Sequence, residues 1–222
     1  MTDNFEQELR FLQMRFIGKI LAGFTHESKN YLAIIKESAG LIEDMIKLGK
    51  SGEAASNQYL EITHSIEEQI EKSTGLFKYL NRFSHRMDTQ LSDFNCNEAL
   101  EELIALVNRF ANQKRIELAK DFQQDLPQIY GNPSMIQFLV FSFLEENIIT
   151  LDQNSRIIIK TETANGSIMI RIIPEGNLIE VEREKEEFPY ETYNTVLKQL
   201  KGKITLETGV KTFTFPLKVS DI

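Results

Sequence analysis

The first half of the chain carries apolar residues at helical spacing. From residue 5 onward they recur every three or four positions, with one longer step around His26. This pattern predicts an amphipathic helix from about residue 4 to 48 that packs along one seam. After the polar loop 49–57 the same spacing returns up to about Arg86, which predicts a second helix and an antiparallel hairpin. The seam of the first helix contains Phe5, Leu9, Leu12, Phe16, Ile20, Phe24, Leu32, Ile35, Ala39, Ile42 and Ile46.

Such a hairpin is expected to need a partner. A helix of this span is on the order of 65 Å long, and a single hairpin leaves much of its apolar stripe in contact with water. Two hairpins that form a four-helix bundle would cover the stripe. We therefore expect residues 1–90 to be a helical dimerisation domain and the protein to be a homodimer.

The pattern changes after the polar stretch 87–93. Asn95 and the pair Asn132-Pro133 are helix-start signals, and the helix after Pro133 is apolar on most sides, so it should be buried. Asn165-Gly166 between two alternating segments is a strong hairpin signal. Residues 91–222 are thus predicted to form an α+β domain with helices on a mainly antiparallel sheet. The predicted strands are 116–122, 156–163, 167–173, 203–207 and 212–217, and the last helix is 190–201.

Composition narrows the class of protein. The formal net charge of -8 argues against nucleic acid or an anionic membrane as a partner. Cys96 is the single cysteine, which excludes an internal disulfide and a multi-cysteine metal site. The chain starts without a basic signal-peptide region and contains no apolar stretch of membrane-spanning length. We expect an acidic protein of the cytoplasm.

His26 is the candidate reactive residue. It lies two positions from both Phe24 and Ser28, about 200° around the helix, so its imidazole should lie off the apolar seam. A neutral imidazole is a competent nucleophile near pH 7. Glu27 could fix its tautomer, and Asn30, one turn later, could position a water or a phosphoryl oxygen. An isolated histidine is more often only an exposed polar residue, and His64 and His85 keep that interpretation.

The stretch THESKNYLAII, residues 25–35, resembles the H-box of bacterial two-component histidine kinases, especially the nitrogen-regulation type. The match covers His26, Glu27, Lys29, Asn30 and Leu32, and Tyr31 stands where that family usually has proline. Segments 94–103, 130–137, 201–204 and 211–217 resemble later parts of the same proteins. The resemblance implies a dimeric hairpin followed by an α/β sandwich of the kinase ATPase type.

The second half departs from the kinases at the nucleotide boxes. In the kinases, two asparagines four residues apart on the helix called the N-box hold magnesium and nucleotide. Here Ser142 and Glu146 stand at those positions, and Asn147 is shifted by one. Residues 173–178 stand in place of a glycine-rich box, and the acidic run 180–187 stands where the lid should follow. Phosphate cradles need glycine so that backbone N–H groups can approach the oxygens. We therefore predict that the nucleotide boxes and the lid are absent and that the chain binds no cofactor of its own.

A kinase-like frame without a nucleotide site resembles the histidine phosphotransferases built on degenerate kinases. By that resemblance, His26 would accept a phosphoryl group from the aspartate of a response-regulator receiver domain and pass it to another receiver. Glu27 would orient the imidazole, Asn30 would position a water or the phosphoryl group, and Lys29 is a possible phosphoryl contact. The receiver would supply Mg²⁺, so no metal site is expected here.

Two other functions fit the same residues. Glu27-x-x-Asn30 resembles the phosphatase motif of bifunctional kinases, in which Asn30 would orient a water to hydrolyse the aspartyl phosphate of a response regulator. Alternatively, the chain is a non-catalytic binding module that docks a kinase or a receiver. The sequence leaves these alternatives open.

Overall fold

The computed structural model describes residues 2–179, 189–207 and 209–217. The chain begins with two long helices, α1 (Thr2–Lys47) and α2 (Glu53–Met87). The turn between them uses Gly49 and Gly52, whose φ angles of 65° and 94° favour glycine. The predicted hairpin is confirmed, although α2 begins four residues before the end of the predicted loop.

The second part of the chain alternates short strands and helices. Asn95 and Asn132 cap the first two of its helices, as predicted. The Asn95 side chain accepts from the backbone N–H groups of Asn97 and Glu98, and the Asn132 side chain accepts from that of Met135 at 3.0 Å. The elements are β1 (Ser92–Phe94), α3 (Cys96–Gln113), β2 (Glu117–Phe122), β3 (Ile129–Gly131), α4 (Pro133–Thr150), β4 (Arg156–Ala164), β5 (Ser167–Glu175), α5 (Tyr190–Gln199), β6 (Lys203–Glu207) and β7 (Val210–Pro216).

The main sheet is mixed, with the strand order β2-β4-β5-β7-β6. Three pairings are antiparallel, and the edge pairing of β2 with β4 is parallel because α4 lies in the connection between these strands. Asn165 and Gly166 have φ angles of 52° and 69°, as a tight hairpin turn between β4 and β5 requires. Strands β1 and β3 form a separate antiparallel pair.

The core lies between one face of this sheet and the helices. Residues alternate between buried and partly exposed along β4 and β5, and Ile159 and Ile172 face each other across the pair with no exposure. Nine consecutive residues of α4, from Ile136 to Leu144, are buried, so this helix lies inside the domain as predicted. The fold is a helical hairpin followed by an α/β sandwich.

The hairpin also packs against the second part of the chain. The Phe16 ring of α1 lies 5.9 Å from the Phe138 ring and 4.8 Å from the Phe141 ring of α4, measured between centroids. At the end of α2, Arg86 donates to both carboxylate oxygens of the buried Glu102 in α3. The hydrophobic core is therefore continuous between the two parts. The proposed boundary near residue 90 stays a prediction.

Candidate functional site

His26 lies in the middle of α1 with an exposed side chain, off the buried stripe formed by Phe16 and Ile20. Within the described part of the chain, no hydrogen bond or ion pair engages its imidazole. The other two histidines differ, because His64 lies 3.3 Å from the Glu67 carboxylate and His85 lies 3.2 Å from that of Asp88. The ring of His26 is thus available to an approaching molecule.

Glu27 points toward α3 and not toward His26. Its Oε2 atom lies 3.8 Å from Nη1 of Arg109, and its side chain is 30% exposed. Tyr31, one turn later, has a pKa raised by burial and by the neighbouring Glu27 carboxylate. Adjacent residues on a helix do not face each other, so Glu27 lies on a different side of α1 from the imidazole. The orienting role of Glu27 stays a prediction.

Lys29 and Asn30 are both exposed, three and four residues after His26. At that spacing they share a helix face with the imidazole. The structure therefore brings His26, Lys29 and Asn30 to one accessible surface of α1. Their chemical roles stay predictions.

The residues at the N-box positions have partners inside the protein. The hydroxyl of Ser142 donates to the carbonyl oxygen of Phe138 at 2.9 Å, and the amide of the buried Asn147 donates to that of Phe143 at 2.8 Å. Glu146 accepts from Lys211 at 2.5 Å. The Lys211 ammonium also lies 5.4 Å from the centroid of the Phe143 ring. A fixed carboxylate at position 146 would repel a triphosphate.

The turn after β5 is built for close packing. Gly176 has a φ angle of 149°, and a Cβ atom there would lie 2.1 Å from the Ser155 hydroxyl oxygen. Asp152 accepts from the Ser155 hydroxyl and from the Asn177 amide, and these two hydrogen bonds lower the pKa of the Asp152 carboxyl. The packing of this turn by itself accounts for a glycine at position 176, with no need to invoke a bound phosphate. The predicted acidic run 180–187 lies outside the described residues.

Arg109 and its neighbour Phe110 are the contacts that sequence analysis missed. Both lie on α3, far from His26 in the chain, and nothing in the spacing of α3 indicates a role at α1. Gly23 offered one signal, because a glycine inside a long helix is often needed for close packing. A small cavity of about 60 Å³ lies between side chains of α1 and α3 and is lined in part by Glu27 and Arg109.

The described residues also set limits on other chemistry. They contain no group of three histidine, cysteine or acidic residues placed to hold a metal ion. None of the helices among them combines the length and the apolar character that crossing a membrane requires.

Curated proteins similar to this chain include histidine kinases. The cell-division control histidine kinase PdhS of Brucella anthropi is 25% identical over 160 residues, which are 71% of this chain and 15% of that protein. PdhS of Brucella suis matches with the same identity and coverage. The chain thus spans about 15% of the length of the curated relatives it matches. No family model matches the chain.

Solved structures of histidine kinases resemble this chain. The catalytic domain of histidine kinase ThkA superposes with a TM-score of 0.50 and 15% identity over 58% of this chain and 96% of that chain. ThkA in complex with the response regulator TrrA has a TM-score of 0.48 and 18% identity, covering 100% of this chain and 69% of that chain. The predicted resemblance to histidine kinases is confirmed for the sequence and for the fold of the catalytic domain. The chain is similar to histidine kinases in sequence and has their catalytic-domain fold.

Proposed function

We propose that this histidine kinase-like chain is a histidine phosphotransferase of a two-component phosphorelay. It carries a phosphoryl group on His26 between receiver-domain aspartates and does not phosphorylate itself with ATP. The observation that supports the proposal is the exposed His26 imidazole on α1, combined with N-box positions whose side chains already have partners in the protein. The proposal places the protein in the cytoplasm, which suits its single, buried cysteine.

The transfer needs little from this chain beyond an accessible imidazole. The lone pair of one ring nitrogen attacks the phosphorus of the receiver's aspartyl phosphate, a P–N bond forms, and the P–O bond to the aspartate breaks. The aspartate leaves as a carboxylate, and the ring nitrogen loses its lone pair to the new bond. The second transfer is the reverse reaction with another receiver. The receiver supplies the Mg²⁺ that neutralises the phosphoryl oxygens.

A homodimer is part of the proposal. The hairpin of one chain leaves large apolar side chains in contact with water, among them Leu32 with 62% of its surface exposed and Leu60 with 59%. An exposed apolar stripe of this extent is typical of an interaction surface. A second hairpin would cover it in a four-helix bundle. The exposed residues of the hairpin include Leu21, Leu32, Leu41, Ile46, Leu60, Ile70 and Phe77.

The phosphatase is the second candidate function. It is favoured by the exposed Asn30 side chain, which shares a face of α1 with His26 and could orient a water toward a docked aspartyl phosphate. In that reaction the P–O bond is cleaved by water and His26 carries no phosphoryl group. A binding module that only docks a receiver or a kinase would perform neither step.

One labelling experiment separates these functions. A receiver domain carrying ³²P-labelled aspartyl phosphate is incubated with the full chain, with His26→Ala and with His64→Ala as a matched control on α2. We expect acid-labile label on the wild type and on His64→Ala, and none on His26→Ala. Release of free phosphate by the wild type that is lost in Asn30→Ala would indicate the phosphatase. Unchanged receiver phosphate in a stable complex would indicate a binding module. A separate titration with ATP tests the nucleotide site, and micromolar affinity would contradict its proposed loss.

A further inference from the structure

We infer that Arg109 is a positioning residue that restrains the His26 site, because it holds Glu27 against α3. This inference rests on the proposed function of His26 and describes how that site is regulated. When Arg109 is bound, Glu27 is kept on the α3 side of the helix and α3 covers the turn of α1 that precedes His26. When the contact opens, the Glu27 side chain can turn away from α3, as its predicted orienting role requires, and the turn of α1 that precedes His26 is open to a receiver.

The Arg109–Glu27 pair lies at the junction of α1 and α3. The nitrogen Nη1 of Arg109 is 3.8 Å from Oε2 of Glu27, and the side chains are 13% and 30% exposed. A pair shielded to this degree is screened less by salt than one on the open surface. Glu27 is also the neighbour that, together with burial, raises the pKa of Tyr31. The carboxylate is therefore engaged on the side of α1 that faces α3.

The helices approach closely at the same place. Gly23 lies one turn before Glu27, and a Cβ atom there would lie 3.1 Å from the Phe110 ring and 3.4 Å from the carbonyl oxygen of Leu106. A glycine is what allows α3 to come this near to α1. Because Gly23 is three residues before His26, α3 packs against the turn of α1 that precedes the histidine.

The contact has the properties of one that can open. At 3.8 Å it is longer than a charge-assisted hydrogen bond, which is about 2.7–2.9 Å long. The cavity of about 60 Å³ beside it is lined in part by Asn108 and Asn112 and has room for water, which would solvate the two charges on separation. The Arg86–Glu102 pair, which also joins the hairpin to α3, is different in kind. Arg86 donates two hydrogen bonds to Glu102, which is 1% exposed, so that pair is a fixed anchor.

The test measures the rate of phosphoryl transfer from a labelled receiver to four forms of the full chain. These are the wild type, Arg109→Ala, Glu27→Gln and the double variant. We expect Arg109→Ala to accelerate transfer about two- to fivefold, the range that a partly shielded ion pair supports. Glu27→Gln should slow transfer, and the double variant should be as slow as Glu27→Gln alone. Arg156→Ala is the matched control, because it removes an arginine from an exposed pair with Glu117 and should leave the rate unchanged.

The outcomes distinguish regulation from a merely structural role. If Arg109 only stabilises the fold, its removal will slow transfer in both backgrounds, and the inference is overturned. A rate for Arg109→Ala equal to that of the wild type also overturns it. Thermal unfolding of the same four proteins measures the contact without phosphoryl transfer. The two single variants should lower the midpoint by amounts that exceed, when summed, the shift of the double variant, and additive shifts would contradict the contact.

Failure of the proposed function gives a different result. If the wild type carries no label on His26, the phosphotransferase is wrong, and the regulatory role of Arg109 falls with it. Non-additive thermal midpoints would then still show that Arg109 and Glu27 interact. If the wild type is labelled and Arg109→Ala is not faster, the phosphotransferase stands and only the inference fails.

Discussion

At Gly176 a single hydrogen atom in place of a side chain closes the turn after β5. An added Cβ atom would lie 2.7 Å from the Cβ atom of Ser155 and 3.2 Å from a carboxylate oxygen of Asp152, and the φ angle of 149° is one that other residues rarely adopt. Asp152 in turn accepts a hydrogen bond from the Asn177 amide at 3.2 Å. Geometry and packing therefore both require glycine at this position.

We predict that Gly176→Ala lowers the free energy of unfolding by about 3 kcal/mol, because it combines a strained backbone with overpacking. Gly18→Ala is the control, since a Cβ atom there meets nothing within 4 Å in the interior of α1. That substitution should stabilise the protein by about 0.5–1 kcal/mol through helix propensity. Urea denaturation of both variants checks the prediction, and equal effects would contradict it.

At the scale of elements, the end of α2 is anchored to α3 through a buried polar network. Arg86 donates to Glu102 at 2.5 Å and 2.8 Å, and the side-chain amide of Gln137 in α4 donates to the carbonyl oxygen of Ala99 at 2.8 Å. The same amide lies 3.4 Å from the Glu102 carboxylate. Three helices thus meet at one carboxylate that is shielded from water.

We predict that Glu102→Ala lowers the free energy of unfolding by about 3 kcal/mol, because it leaves the shielded Arg86 guanidinium with the exposed Glu98 carboxylate at 3.7 Å in place of two close hydrogen bonds. Glu68→Ala is the matched control. Glu68 forms an exposed pair with Lys72 at 2.7 Å on α2, and its loss should cost less than about 1 kcal/mol. Chemical denaturation measures both, and a loss for Glu102→Ala as small as the control would contradict the anchor.

Elements that depend on local signals were predictable from the sequence. The caps Asn95 and Asn132 and the turn Asn165-Gly166 act on backbone groups within a few residues, so their positions can be read directly. Strands β1 and β3 were missed because three residues are too few to show a period. The start of α2 was placed too late because residues 53–57, with the sequence EAASN, contain no large apolar side chain, although they belong to the helix.

The candidate site was predictable only in part. The exposure of His26 follows from its position relative to the stripe on its own helix, and the structure agrees. The partners of Glu27 and Glu146 do not follow from any such pattern, because Arg109 and Lys211 lie on elements that only the tertiary fold brings near. An ion pair between distant polar residues leaves no periodic signal in either segment.

For the whole molecule, buried ionisable groups determine how stability responds to alkaline pH. Burial raises the pKa of the Cys96 thiol to about 12, from an ordinary value of 9.0. Burial also raises the pKa of Tyr193, which packs against Phe138 and Phe143, and that of Tyr31. In each case the folded state favours the neutral form, so folding is opposed wherever the unfolded chain would ionise.

We predict that the free energy of unfolding falls as the pH rises from about 9 toward 12. Between these values the unfolded chain releases the Cys96 proton while the folded chain retains it, so the unfolded state binds fewer protons. Cys96→Ala should show a shallower decline above pH 9 than the wild type, with the remaining slope due to Tyr31 and Tyr193. Denaturation curves recorded between about pH 7.5 and 11, the range in which these groups begin to ionise in the unfolded chain, measure the difference in slope. Equal slopes for the two proteins would contradict it.

The burial of α4 on every side has a consequence for which sequences this fold can accept. Along most helices, tolerance to substitution rises and falls with each turn, and α3 should show that rhythm because Glu98, Asn108 and Asn112 face water. From Ile136 to Leu144 there is no solvent-facing position at all. Saturation mutagenesis should find that polar substitutions destabilise the protein at each of these consecutive positions. We therefore expect tolerated substitutions to lie mainly on its other helices.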